Sequence, residues 1–462
     1  MTDSPQIDAR LQPIVKAYDV RGRSPEQLDA EVARALGEAF ADETGVAADE
    51  GGPGGRAVIG HDMRETSPVL AAAFADGIRA RGGDVVSIGL ASTDLLYFMS
   101  GDLDVPGAMI TASHNPAAYN GIKLCRAGAR PIGFDTGLSA MAVAASALLG
   151  RTELPAVRGE ISELDGLARY AEHLHRLVPV PTRRRLSVVV DAGNGMAGHT
   201  VPRVFADLDV DLDAMYFELD GTFPNHEANP LDTSTLVDLQ ARVRETGADI
   251  GLAFDGDADR CFVVDERGEP VSPSAITALI AARALATHPG ATILHNVICS
   301  RTVPEVVAEH GGTAVRTPVG HSLIKAEMAR TGAVFGGEHS GHFYFKDFFL
   351  ADSGMIAALH VMAALAETDG TVSELMAQYE RYPASGEINS TVDDGAAVME
   401  DLAQRYADLD QDRLDGLTVT ADTWWFNVRA SNTEPLLRLN VEGDDAATME
   451  RVRDEVLAII RG

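Results

Sequence analysis

One plan recurs three times along this chain: an apolar strand that runs without a spacer into a loop of small and charged residues. MITASHNP (109–116), IGLAFDGDADR (250–260) and AVFGGEHSGH (333–342) all follow it. Around the first, AVIGHD (57–62) and DVVSIG (84–89) read as further strands. Ser67-Pro68 supplies an N-cap and an N1 proline for a helix running through Arg81. Leu28, Val32, Ala35, Leu36, Ala39 and Phe40 share one face of an earlier helix with Pro25-Glu26 at its start. Strands alternating with helices place this stretch in a mostly parallel α/β domain. A second α/β unit opens at LSVVVD (186–191). In a third, strands at 291–300, 313–320 and 333–337 alternate with helices at 274–286, 302–310 and 321–331. From about residue 385 the pattern becomes a smaller α+β domain, with strands WWFNVRA (424–430) and LLRLNVEG (436–443) and a closing helix over 445–461. The expected division is 1–158, 159–268, 269–384 and 385–462.

Length agrees, because 462 residues exceed what one hydrophobic core serves. No window approaches the ~18 uninterrupted apolar residues of a membrane helix, and the N-terminus lacks a basic start and an apolar core. A net charge of −31 argues against nucleic-acid or anionic-membrane partners. Three scattered cysteines, Cys125, Cys261 and Cys299, make neither a disulfide framework nor a zinc cage, so a reducing cytoplasm is expected.

In TASHNP, Asn115-Pro116 ends regular structure, because the residue before proline is driven out of the α region. Ser113, with His114 beside it, therefore sits where a strand stops, either as an exposed nucleophile or as an ordinary turn serine. In DGDADR, extended alternation would turn Asp255, Asp257 and Asp259 to one side. Three carboxylates ~4 Å apart repel by several kcal/mol per pair even at an effective dielectric near 20. A divalent cation removes that cost, and all-oxygen ligands select Mg²⁺, Mn²⁺ or Ca²⁺. An EF-hand is excluded, since Arg260 stands where its sixth position wants glycine and CFVVDERGEPV continues as a hairpin.

In GEHSGH the same alternation would gather Glu338, Ser340 and His342; the glutamate and serine together suit the vicinal hydroxyls of a sugar, and a satisfied polar turn is the alternative. The glutamate precedes both histidines and glycines interrupt any helix, so this is no H-E-x-x-H zinc site. RASNTEP (429–435) combines a guanidinium with small donors and free amides, a composition suited to a phosphate dianion. DAGNGMAG (191–198) contains G-x-G-x-x-G after a strand, with Asp213 and Glu218 downstream. An NAD-dependent oxidoreductase would use these residues, but the unit is short and leads into DGDADR, so tight-turn glycines packing a helix on a strand account for them better.

TASHNP, DGDADR, GEHSGH and RASNTEP, in this order and spacing, resemble the α-D-phosphohexomutase family over essentially the whole chain, most closely its bacterial phosphomannomutase/phosphoglucomutase branch. The resemblance implies three similar α/β domains with mixed sheets and a smaller C-terminal α+β domain, heart-shaped around a central cleft. It implies an intramolecular phosphotransferase that interconverts hexose 6-phosphate and hexose 1-phosphate through a bisphosphorylated sugar. Ser113 matches the phosphoserine, and Asp255, Asp257 and Asp259 match the Mg²⁺ ligands, with the phosphoserine completing the set. Glu338 and Ser340 match the residues on the sugar's 3- and 4-hydroxyls. Arg429, Ser431, Asn432 and Thr433 match the loop for the phosphate not being transferred. Arg21, Lys123, Arg260, His321 and His342 match polar positions of the cleft, with Lys123 and His342 as proton-transfer candidates. Mannose phosphate leads as substrate, followed by glucose phosphate and then glucosamine phosphate, with a hexose 1,6-bisphosphate as activator and a monomer or homodimer as the assembly. One departure stands out: Ile298 replaces a lysine of many relatives, so that one hold on the substrate phosphate is either missing or supplied by Arg301. Asn432, where glucosamine-specific relatives carry glycine, resembles the mannose/glucose branch.

Overall fold

A computed structural model describes residues 6–48, 54–151, 158–430 and 436–462, without the side chains of His321 and Ser322. The chain forms two compact units: Met1–Pro270 with Tyr344–Val372, and Val271–Phe343 with Ser373–Gly462.

The first unit holds two mixed sheets. One runs Val20–Arg23, Tyr119–Arg126, Gly107–Ile110, Arg56–His61, Asp84–Leu90, Ile161–Glu163, with Arg130–Pro131 added beside Tyr119–Arg126. Its centre is parallel, whereas Tyr119–Arg126 lies antiparallel to the strand before it, pairing Met109 with Lys123. Helices Ala30–Thr44 and Ser67–Ala80 bury their apolar faces on this sheet. The first of them starts later than Pro25-Glu26 predicts. The Asp29 carboxylate accepts from Val32 N at 2.9 Å, and that side-chain cap, not the proline, sets the first turn.

The second sheet orders Cys261–Val264, Ile250–Phe254, Leu186–Asp191 and Val210–Met215. Its last three strands are parallel, and the first folds back as the hairpin expected after DGDADR. Residues 344–372 close onto this unit through helix Gly354–Ala366. Its cap, Ser353, donates to buried Asp94, which also accepts from Tyr170.

In the second unit, Thr313–Thr317, Thr292–Asn296 and Phe335–Gly337 form a parallel set. A separate sheet, Ile388–Thr391, Leu436–Gly443, Trp424–Ala430, Leu417–Thr420, Asp410–Asp412, is antiparallel throughout. Helix Ala446–Arg461 covers it with Met449, Val452, Val456 and Ile460. Three mixed α/β layers followed by a smaller antiparallel one is the class expected from sequence. Among the described residues no helix is long and apolar enough to cross a membrane. The three cysteines are buried and none is in a disulfide.

Candidate active site

The strand Gly107–Ile110 ends three residues before a serine that leaves ordinary backbone space: Ser113 has φ 52°. That left-handed conformation is disfavoured for a residue with a Cβ and persists only where its surroundings fix it. Here Ser113 N donates to Thr111 Oγ1 at 2.9 Å, and Asn115 N to the Ala112 carbonyl at 3.0 Å. The result aims Ser113 Oγ at Asp255 Oδ2, 2.9 Å away, with His114 Nδ1 at 3.1 Å.

The strand Ile250–Phe254 delivers the carboxylates. One ligand oxygen each from Asp255, Asp257 and Asp259 lies within 4.8 Å of the others, and all three residues are buried. They converge as expected, but by a different route. Residues 255–260 are a turn, with Ala258 at φ 60° and its N–H on the Asp255 carbonyl, so curvature replaces strand alternation.

Two cations are inserted among the acids. Lys123 Nζ donates to Asp257 Oδ2 at 2.7 Å and to Asp259 Oδ2 at 2.6 Å. Arg260 Nε donates to Asp255 Oδ2 at 2.8 Å. Burial penalises the charge on Lys123, yet Asp257 and Asp259 outweigh it and hold the ammonium well above its usual range. Burial likewise opposes ionisation of Asp257, and Lys123 with hydrogen bonds from Thr93 and Ser113 overcomes it, keeping that carboxyl well below its usual range. For Asp255 burial wins over Arg260 and pushes its carboxyl up.

Asp257 Oδ1 is buried with no hydrogen-bond partner among the described residues. An all-oxygen donor set with an orphaned oxygen fits a hard divalent cation.

In the second unit GEHSGH also forms a tight turn. Glu338 N donates to the His342 carbonyl at 2.9 Å, with Gly341 at φ 86°. Ser340 Oγ lies 3.1 Å from His342 Nδ1, which is 3.9 Å from Glu338 Oε2. The three predicted residues are thus together, by a turn and not by alternation. Buried Glu338 also accepts from Gly320 N and Asn296 Nδ2. Arg429 donates to Glu387 at 2.6 Å. Ser431, Asn432 and Thr433 lie outside the described residues, and of His321 only the backbone is described, at the first residue of helix His321–Thr331.

Arg301 is committed elsewhere. Its Nε and backbone N–H share Glu442 Oε1, its Nη2 donates to Asp444, and it stacks 4.1 Å over the Tyr382 ring. Ile298 is buried. Arg301 is thus held within its own unit by Glu442, Asp444 and Tyr382. Arg21 reaches Asn115 Oδ1 at 2.6 Å, steadying the serine loop.

Three contributors are not legible as site residues in the sequence. Arg438 stands opposite Arg429 in strand register and donates to the same Glu387 at 3.1 Å. Thr93, at the start of helix Thr93–Leu103, donates through both N–H and Oγ1 to Asp257. Its signal is the cap S-T-D in LASTDLL. Arg64 is wholly buried against the serine loop.

The glycines of DAGNGMAG serve close packing. A Cβ on Gly195 would stand 2.7 Å from the Gly256 carbonyl oxygen, and one on Gly198 2.3 Å from that of Phe217. Met196 N donates to the Gly256 carbonyl at 2.9 Å, so the segment buttresses the acidic turn. Asp213, the candidate ribose acid, is held by Arg242.

Models of the phosphoglucomutase/phosphomannomutase family match the chain in four consecutive parts. The three α/β/α domains match at residues 12–141, 168–268 and 272–382, and the C-terminal domain at 387–459. A protein from Xanthomonas campestris pv. campestris named for phosphohexose mutases is 40% identical over 455 residues, covering 97% of this chain and 99% of its own. A Salmonella montevideo phosphomannomutase is 39% identical, covering 96% and 98%. A Pseudomonas putida phosphomannomutase/phosphoglucomutase is 36% identical, covering 96% and 94%. The crystal structure of a phosphoglucomutase/phosphomannomutase family protein from Burkholderia thailandensis superposes with a TM-score of 0.86 at 32% identity, over 98% of this chain and 97% of that one. With all four domain models matched in order and relatives near 40% identity along almost the full length, the chain belongs to the phosphoglucomutase/phosphomannomutase family.

Proposed function

We propose that this chain interconverts hexose 6-phosphate and hexose 1-phosphate, with mannose phosphate as its leading substrate. The observation that carries the reading is Ser113 Oγ, held on a left-handed turn 2.9 Å from one of three buried, convergent carboxylates. A phosphoserine needs concentrated positive charge beside it, and this is the arrangement that would gather it.

In the proposed cycle the phosphorylated Ser113 gives its phosphoryl group to a free hydroxyl of the sugar phosphate. The Oγ–P bond breaks, a sugar O–P bond forms, and the hydroxyl proton leaves for a base, with His342 as the candidate, while Lys123, kept protonated by Asp257 and Asp259, is the candidate proton donor. The bisphosphorylated sugar turns over, and Ser113 Oγ recovers a phosphoryl group from its other end. Lys123 and Arg260 supply fixed charge toward the equatorial oxygens, which is where catalysis of phosphoryl transfer acts. A divalent cation held by Asp255, Asp257 and Asp259, Mg²⁺ in this proposal, supplies further neutralisation at the same oxygens. Glu338 and Ser340 are assigned to vicinal sugar hydroxyls. Arg429, with Ser431, Asn432 and Thr433, is assigned to the phosphate not being transferred, and Arg438, sharing Glu387, joins them.

The test is a comparison of kcat/KM for mannose 1-phosphate, glucose 1-phosphate and glucosamine 1-phosphate, each with its 1,6-bisphosphate and Mg²⁺. We expect the mannose ester to lead, and both it and the glucose ester to exceed the glucosamine ester by about tenfold or more, a gap one misfitted polar group sustains. Glucose phosphate is the runner-up because the Pseudomonas putida relative carries both names. Turnover of none of the three would remove the proposal.

Gly256 offers a second check. A Cβ there would stand 2.4 Å from the Ser113 carbonyl oxygen, so Gly256→Ala must displace the serine loop or the acidic turn. Because a misplacement near 1 Å costs on the order of 100-fold, kcat should drop by about that factor in a protein that still melts cooperatively. A fully active Gly256→Ala enzyme would show that the two loops need not meet this closely.

A further inference from the structure

Arg64 follows strand Arg56–His61 in the stretch HDMRETS, just ahead of a helix, where an arginine ordinarily reaches solvent. Instead it is 1% exposed. An arginine carries five N–H donors in a rigid fork, and here every one has an acceptor. Nε donates to Asp62 Oδ2 at 3.2 Å. Nη2 donates to the carbonyls of Ser113 at 2.8 Å and Asn115 at 2.6 Å. Nη1 donates to those of Pro116 and Tyr119, each at 3.0 Å. Four of the five donors therefore end on the backbone of one seven-residue loop, the loop that carries Ser113.

The guanidinium is itself fixed from the other side. Asp62 is fully buried and also accepts from Ser67 and from Arg64 N. The Phe223 ring lies 5.1 Å beneath the guanidinium carbon, and Gly221 packs so closely that a Cβ there would stand 2.6 Å from Arg64 Cα. None of the five bonds touches Ser113 Oγ, which is left to face Asp255. What Arg64 determines is the backbone from which Oγ projects, including the Ser113 carbonyl that borders the left-handed φ of 52°.

We propose that Arg64 is a positioning residue for the phosphoryl-carrying serine: its buried fork gathers the carbonyls of residues 113, 115, 116 and 119 and so holds Ser113 Oγ at the acidic turn. The inference rests on the mutase reading above. It makes a claim that a role in stability alone would not, namely that loosening the fork slows phosphoryl transfer while leaving substrate affinity in place.

The experiment is Arg64→Lys, which keeps the charge but replaces a planar fork with three donors at one point. On the folded fraction isolated by size exclusion, kcat should fall about 100-fold while KM for the hexose phosphate stays within about twofold. The rate at which a hexose 1,6-bisphosphate loads Ser113, read by intact mass, should fall by the same factor. A kcat within about threefold of wild type, or a raised KM with kcat unchanged, would overturn the proposal. If Arg64→Lys yields no folded protein, Asp62→Asn decides, since it weakens the anchor on Nε while leaving the four guanidinium bonds to the loop carbonyls intact. There a roughly tenfold loss of kcat at constant KM is expected, and an unchanged kcat overturns the proposal. Wild-type protein that neither turns over hexose phosphates nor accepts a phosphoryl group would instead remove the mutase reading, so the two failures are separable.

Discussion

Ser113→Ala is expected to abolish mutase turnover, by about 10⁵-fold or more, in a protein that folds normally. Phosphate monoesters are among the slowest reactions known without a catalyst, so a site that loses its phosphoryl carrier has little background rate to fall back on. The structural cost is small by comparison. Ser113 Oγ meets Asp255 Oδ2 and His114 Nδ1. Asp255 keeps the Arg260 guanidinium after the substitution. Losing one such hydrogen bond from a carboxylate that remains paired costs on the order of 1 kcal/mol. A coupled assay and a melting curve on the same preparation separate the two effects. Intact mass adds a third reading: wild-type protein should carry a fraction heavier by one phosphoryl group, and Ser113→Ala should carry none. Full activity in the variant, or an undiminished heavy fraction, would move the phosphoryl carrier to another residue.

The serine cannot be interpreted from its own six residues. TASHNP says that a strand ends and a turn begins, and the strand does end at Ile110. What makes the serine chemically meaningful is DGDADR, more than a hundred residues away, because three carboxylates need a cation once the fold gathers and buries them, as it does here. Composition and spacing mark the three carboxylates as candidates, and they do converge, although by a turn and not along a strand. The same is true of Glu338, Ser340 and His342.

Contributors defined only by three-dimensional register are out of reach of the sequence. Lys123 is legible as a charge near an Asn-Gly, but its place between Asp257 and Asp259 follows from the antiparallel return of strand Tyr119–Arg126 beside the strand that delivers Ser113. Arg438 looks like an ordinary exposed strand arginine until strand pairing sets it opposite Arg429. Arg64 is the hardest case, since burial of a lone arginine has no periodic signature and its partners are backbone carbonyls, which every residue possesses. Ile298 and Arg301 show the converse. Nearness in sequence makes Arg301 a candidate substitute for a missing lysine, and its partners, Glu442 and Asp444, are visible only in the folded chain.

Lys123→Met is expected to produce the largest loss of stability in the acidic group and to make that loss reversible by divalent cations. Methionine preserves the length and most of the apolar stem of lysine but removes the charge. Lys123 is 7% exposed and bridges Asp257 and Asp259, themselves buried, while Arg260 is engaged with Asp255. Breaking a buried pair from one side leaves uncompensated charge, at a cost of about 3–5 kcal/mol. For domains of this size that corresponds to a melting temperature lower by roughly 10 °C in metal-free buffer. A cation that binds the folded site but not the unfolded chain stabilises by mass action, and with the ammonium gone it faces less like-charge repulsion. Added Mg²⁺ should therefore raise the melting temperature of Lys123→Met more than that of wild type, recovering most of the deficit at millimolar concentrations. Turnover should remain low even then, by about 100-fold or more, because the fixed charge and proton donor assigned to Lys123 are not restored with stability. Melting curves of both proteins in chelator and in Mg²⁺ decide it. Equal Mg²⁺ shifts in the two proteins would mean that the lysine and the cation do not answer to the same carboxylates.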